Sequence, residues 1–160
     1  MGHFGFSYIG LIYLLLLFLP NILWMRRKPP EYDEAARKES RALVAVERAG
    51  EVCVTACALV FADFNWRPFS PWSLWLIASV LLMALYEVCW LRYFRTGCTW
   101  AGFCGRLGII PVPLATLPVA AFLLLGVYGK VVWMIAAALI LGVGHIGIHL
   151  GHAREMVDPK

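Results

Sequence analysis

The chain has 160 residues, of which 61% are hydrophobic and only 15% are charged. A soluble domain of this length could not bury so much apolar surface, and the composition therefore predicts a single membrane domain comprising residues 1–160. The net charge of +4 does not indicate a nucleic-acid partner, because the basic residues lie in short segments beside apolar runs, as they do in membrane proteins.

The apolar runs, taken in chain order, predict an all-α, polytopic membrane protein. They are long enough to span a bilayer as helices and cover about residues 4–24, 43–61, 72–90, 109–128 and 131–152. The first run lacks the basic N-terminal region and the cleavage site of a signal peptide, so we expect it to be an anchor. The polar connector 29–42 is expected to hold a short surface helix, and the loop 96–108 is interpreted as a flexible connector.

The distribution of basic residues predicts the orientation of these helices. Only Arg67 and Lys130 lie in the turns after the second and fourth runs, whereas all other Lys and Arg residues lie in segments 26–48 and 92–106 and in the C-terminal tail. Because basic residues favour the cytoplasmic side, we expect a bundle of five transmembrane helices with the N-terminus outside and the C-terminus cytoplasmic. Cys98 and Cys104 then lie in a cytoplasmic loop, accessible only from inside.

The last apolar run carries both histidines and small residues. Three histidines follow one another at spacings of four and three: His145, His149 and His152. On a helix they fall within an arc of roughly 60°. Three glycines lie on a different side of the same helix, where small residues let a neighbouring helix approach closely: Gly144, Gly147 and Gly151. One side is therefore suited to packing, and another carries imidazoles.

Two glutamates in other spans are expected at the depth of His145. From the rise of a helix, Glu51 lies roughly 12 Å from the cytoplasmic end of the second span, and Glu87 roughly 22 Å from the outer end of the third. Charged groups at such depths are costly and indicate a site. We predict Glu51, Glu87 and His145 as catalytic residues that approach one another, with Glu47 and His149 one turn nearer the cytoplasm. The alternative is structural: Glu87 could snorkel to the headgroups, and Glu47 could be interfacial.

The same side chains suit a divalent transition metal such as zinc, iron or manganese, with His145, His149 and Glu51 as ligands. The alternative is a metal-free site in which a glutamate and a histidine pass a proton or hold a polar substrate. Cys53 and Cys57 point away from the glutamate stripe of their helix, so we treat the thiols as small apolar residues.

Three functions remain open, and no motif in the chain identifies a known family. The first is a membrane-embedded enzyme acting on a lipid or another amphiphile at the cytoplasmic leaflet, most simply in a bacterial inner membrane. The second is a carrier for protons, metal ions or small cations, although such sites usually lie near the midplane between repeats. The third is a non-catalytic accessory or immunity protein. The expected partners are the lipid bilayer and a lipid or small-molecule ligand, and a homo-oligomer is left open.

Overall fold

The computed structural model describes residues 2–157, and these residues form seven α-helices joined by short connections. The helices are α1 (Tyr8–Met25), α2 (Tyr32–Arg37), α3 (Arg41–Val60), α4 (Ser73–Arg95), α5 (Trp100–Cys104), α6 (Pro113–Gly129) and α7 (Val132–Val157). The all-helical prediction is confirmed. Three helices, α1, α4 and α7, are long and apolar enough to cross a membrane.

The helix bounds differ from the predicted runs for local reasons. Helix α1 begins at Tyr8 rather than at Phe4, because the Ser7 hydroxyl caps it by accepting from the backbone N–H of Gly10. Helix α6 begins only at Pro113, a residue favoured in the first turn of a helix. The predicted surface helix is present as α2. Helix α7 continues to Val157, beyond the predicted end.

The start of the chain is hydrogen-bonded to the turn between α3 and α4. Backbone bonds join Gly5 to Val60 and His3 to Ala62. Arg67 donates to the carbonyl oxygens of Asp63 and Tyr128, and its guanidinium lies 4.8 Å from the Tyr128 ring centroid. We call this end of the molecule, formed by residues 2–8, 59–73 and 126–132, the N-terminal end.

The opposite end, formed by residues 25–41, 92–112 and 149–157, is held mainly by aromatic side chains, and we call it the C-terminal end. The buried ring of Phe103, on α5, lies 5.3 Å from Trp24 and 6.1 Å from Tyr93 between centroids. The interpretation of loop 96–108 as a flexible connector is therefore wrong, because α5 inserts its side chains into the core. Cys104 is also buried, and burial raises the pKa of its thiol to about 12.

The long helices expose apolar side chains along one side. On α1 the exposed residues include Leu15, Leu19 and Leu23, and on α4 they include Leu81 and Val88. Such a surface is unfavourable in water, and its position on helices of spanning length matches the lipid-facing surface of a membrane protein.

The contact of His3 with Asp63 predicts an acid-sensitive N-terminal end. The His3 backbone N–H lies 2.5 Å from Asp63 Oδ2, and its ring Nδ1 lies 2.9 Å from Oδ1. Burial alone would raise the pKa of Asp63, but these hydrogen bonds and the charges of His3 and Arg67 outweigh it and hold the pKa below its usual value. A lowered carboxylate pKa stabilises the fold above about pH 4, and this stabilisation is lost as the pH falls further.

We expect Asp63→Asn to lower the free energy of unfolding at pH 6 by on the order of 1 kcal/mol, because two hydrogen bonds to a carboxylate are weakened. The difference from wild type should shrink as the pH is lowered towards 3. Thermal unfolding in detergent micelles measures both effects. Asp33→Asn is the control, since that carboxylate is exposed and lies 4.0 Å from its nearest cation, Lys28. Equal unfolding midpoints for Asp63→Asn and wild type at pH 6 would contradict the expectation.

Candidate functional site

The site is built on the close approach of α3 and α7. An added Cβ at Gly50 would lie 2.5 Å from the backbone of Leu141, and one at Gly144 would collide with the backbone of Glu47. The two helices can be this close only because neither position carries a side chain. The register is antiparallel, since the later residue of α3 meets the earlier residue of α7. This contact places Glu47 directly beside His145.

Glu47 and His145 form a hydrogen-bonded pair. Oε1 of Glu47 lies 2.5 Å from Nδ1 of His145, and the two side chains are 15% and 25% exposed. A carboxylate that accepts from Nδ1–H leaves Nε2 of the neutral ring as a proton acceptor.

The other two histidines continue from this pair towards the C-terminal end. The ring centroids of His145 and His149 lie 4.7 Å apart, and those of His149 and His152 lie 5.9 Å apart. His149 is buried against Phe103 at 5.1 Å between centroids, and its Nδ1 has no hydrogen-bond partner among the described residues. Trp100 covers His152 at 5.3 Å. The three imidazoles therefore form a row, and aromatic rings pack against two of them, His149 and His152.

A second Glu–His pair ends the row. Nε2 of His152 lies 3.1 Å from Oε1 of Glu39, within ion-pair distance, although the angles are not those of a hydrogen bond. Burial, reinforced by the nearby Glu47 carboxylate, raises the pKa of Glu39. Burial also raises the pKa of the neighbouring Tyr32 hydroxyl to about 12, with Glu39 and Glu47 adding to the effect. These carboxylates thus lie close enough to influence one another.

The structure does not bring the other predicted residues into this row. Glu51 is 42% exposed and forms an ion pair with Arg48 at 2.8 Å. Glu87 lies on α4, and its buried Oε1 has no hydrogen-bond partner in the described residues. Asn21 of α1, another polar residue within an apolar helix, donates to the Leu17 carbonyl oxygen and to the Tyr86 hydroxyl. We call the three imidazoles and the two carboxylates paired with them the Glu/His row: Glu39, Glu47, His145, His149 and His152. Of the three predicted catalytic residues, only His145 belongs to it.

The predicted metal-ligand set is not assembled either. His145 and His149 are adjacent, but the carboxylate beside them belongs to Glu47 rather than Glu51. Within residues 2–157, no group of three or more His, Cys, Asp or Glu side chains is arranged to hold a metal ion.

Two features of the site were not found from the sequence. Glu39 lies among several charged residues of the connector, and nothing in that composition distinguishes the glutamate that meets His152. Phe103 lies in a loop without helical periodicity, so its insertion against His149 follows only from tertiary packing.

Comparison with known proteins identifies no protein that is related to this chain. No protein-family model matches the chain, and neither the curated proteins nor the solved structures include a significant match. The inferences about function therefore depend on the geometry described above.

The contact of Gly144 with α3 gives a matched pair of substitutions on one helix. Gly144→Ala should destabilise the protein by about 1–3 kcal/mol, because the added methyl group meets the backbone of α3. A Cβ added at Gly151 meets nothing within 4 Å. Gly151→Ala should therefore raise the free energy of unfolding by up to about 1 kcal/mol through helix propensity. Thermal unfolding in detergent measures both variants. A Gly144→Ala variant as stable as Gly151→Ala would contradict the α3–α7 contact.

Proposed function

We propose that the protein crosses a bacterial inner membrane five times, with the N-terminus outside and the C-terminus cytoplasmic. The three long apolar helices support a location in a membrane. Helix α6 has 17 residues, which is the lower end of the spanning range. Helix α3 has a lower hydropathy because it carries four charged residues, and all of them lie within its first 11 of 20 residues, on the side of the C-terminal end: Arg41, Glu47, Arg48 and Glu51. The basic segments gather at that same end, as expected for a cytoplasmic face.

The orientation predicts one-sided labelling of Cys98. In a variant with Cys98 as the only cysteine, an impermeant maleimide should react in inside-out vesicles and not in intact cells, because the half-buried thiol lies at the C-terminal end. Ser70→Cys at the opposite end is the control and should label in intact cells. Wild-type Cys104 should stay unlabelled on either side until the protein is unfolded, because it is buried. Labelling of Cys98 from outside would overturn the orientation.

We further propose that the Glu/His row is the acid–base site of a membrane enzyme acting on an amphiphile at the cytoplasmic leaflet. The observation that carries this proposal is the pairing of two carboxylates with the two ends of a buried imidazole row. A Glu–His pair orients the ring and stabilises the imidazolium that forms when it accepts a proton. Glu39 and His152 line a groove, so theirs is the pair that a bound headgroup can touch.

The two pairs then have different tasks. His152, with Glu39, takes a proton from or gives one to the substrate. His145, with Glu47, acts through His149 and sets the protonation of the row, so it is a positioning residue rather than a catalytic one. Glu51 and Glu87 have no part in this scheme, since Glu51 pairs with Arg48 and the buried Oε1 of Glu87 has no hydrogen-bond partner among the described residues.

Turnover can be tested with purified protein reconstituted in vesicles of total bacterial lipid extract, with lipid composition followed by mass spectrometry. The wild type should convert one lipid class with time, and His152→Gln should slow this by about 100-fold or more, as the loss of an acid–base group does. Glu47→Gln should also slow conversion and shift its pH profile, which a merely structural change would not do. Glu51→Gln is the control and should retain wild-type turnover. Unchanged lipids with the wild type, or full activity of His152→Gln, would overturn the proposal.

A carrier for protons or small cations is the second candidate. Three adjacent imidazoles suit proton transfer, and in the described residues two of them, His149 and His152, have nitrogens without a hydrogen-bond partner. On the side of His145 that faces the N-terminal end, the contact of Gly50 with the Leu141 backbone closes the α3–α7 interface. A carrier needs a path past this point, so the contact favours the enzyme. Vesicles loaded with a pH-sensitive dye distinguish the two functions, because a carrier would dissipate a pH gradient across the vesicle membrane. The variant His149→Phe would abolish this dissipation. Failure of both assays would leave the accessory or immunity role.

A further inference from the structure

A polar groove lies where α2 and α3 meet the last turns of α7. It has a volume of about 400 Å³, and its charged and polar lining consists of Lys38, Glu39, Ser40, His152, Arg154 and Glu155. The two basic and two acidic residues cancel in formal charge. Gly151 forms part of the lining, and a Cβ added there would meet nothing within 4 Å, so the groove has room for a ligand.

An apolar groove of about 440 Å³ continues from it along the outside of α6 and α7. Its lining is entirely apolar and includes Val119, Leu123, Leu139, Val143 and Ile146. The two grooves share Gly147 and Leu150. From Leu150 to Ala138 the apolar groove follows α7 for roughly 18 Å, about the depth of one bilayer leaflet.

We infer that these joined grooves bind one zwitterionic phospholipid with a primary amine, its headgroup in the polar groove and an acyl chain in the apolar one. Lys38 and Arg154 suit the phosphate, and Glu39 and Glu155 suit the ammonium group. A groove whose own charges cancel fits a zwitterion better than an anionic lipid. This inference rests on the proposed function and names the substrate class of that site.

His152 supplies an independent indication of a ligand. The residue is only 4% exposed and lines the polar groove. Its Nε2 has only the ion-pair contact with Glu39, and its Nδ1 has no hydrogen-bond partner among the described residues. Buried polar atoms are nearly always paired in folded proteins, and an unpaired one is costly. A headgroup phosphate or amine in the groove would supply the missing partner.

The inference is tested by native mass spectrometry of delipidated protein with added phosphatidylethanolamine, phosphatidylglycerol or phosphatidylcholine of equal chain length. Phosphatidylethanolamine should bind about tenfold more tightly than the other two, because phosphatidylglycerol lacks the amine and the methylated amine of phosphatidylcholine cannot donate to the carboxylates. The double variant Lys38→Gln/Arg154→Gln should lose most of this preference. Arg95→Gln, an exposed basic residue of α4 at the same end, is the control and should keep it.

Two tryptophan variants test the two grooves separately. Gly151→Trp fills the polar groove and Val143→Trp obstructs the apolar one; each should lower binding at least tenfold, whereas Val88→Trp on the exposed side of α4 should not. Glu51→Gln, which lines neither groove, should bind normally. Binding without turnover would therefore support this inference while overturning the enzyme, and turnover of another amphiphile without this binding would do the reverse. Equal binding of the three lipids, indifference to both tryptophans, or a protein dimer in place of a lipid adduct would overturn the inference.

Discussion

The direct backbone contact between α3 and α7 is the constraint on which the rest of the site depends. Helices in lipid gain little from the hydrophobic effect and associate through close packing and hydrogen bonds. Gly50 and Gly144 permit that packing, and the resulting register aligns Glu47 with His145. A carboxylate at this position would be expensive if it faced lipid. The glycines therefore determine both the helix pair and the polar contact that it encloses.

Inside this frame the polar groups differ in how well they are satisfied. The Glu47 carboxylate has a short hydrogen bond, but the central imidazole, His149, is enclosed by Phe103 with one nitrogen unpaired. An aromatic enclosure excludes water and strengthens every remaining electrostatic interaction. Among the described residues, His149 and His152 both keep buried ring nitrogens without a hydrogen-bond partner, so the row is poorly explained as a stabilising core. It is better explained as a path along which protonation can change.

The sequence predicted the helical class well, because a backbone in lipid has to satisfy its own hydrogen bonds and long apolar runs have few alternatives. It placed His145 level with Glu51, whereas the carboxylate that contacts His145 is that of Glu47, one turn away on the same helix. The depth of Glu51 was measured from the inner end of one apolar run and that of His145 from the outer end of another, so their relative level depended on both helix ends and on helix tilt. The axial register comes instead from Gly144 against Glu47, a contact between residues distant in sequence. Single-sequence patterns contain no information on such a register.

The same limit explains the errors in loop 96–108. Phe103 and Cys104 lack the periodicity that marks a buried helix, and five residues are too few to show one. Their burial follows from the aromatic side chains that other segments deliver to the C-terminal end, among them Trp24 and Tyr93. Composition located the aromatic residues without indicating which of them would meet.

The two ends of the molecule are stabilised by different means, and this difference bears on function. At the N-terminal end, Asp63, Asn65 and Arg67 pair with backbone groups of neighbouring segments, so the charged groups there are satisfied within the protein. At the C-terminal end, aromatic stacking supplies the cohesion, and His149 and His152 keep unpaired nitrogens. Stacking tolerates small displacements better than a directional hydrogen-bond network does. An end that is held together by stacking and retains free polar atoms can admit a headgroup without breaking the contacts that hold the helices together.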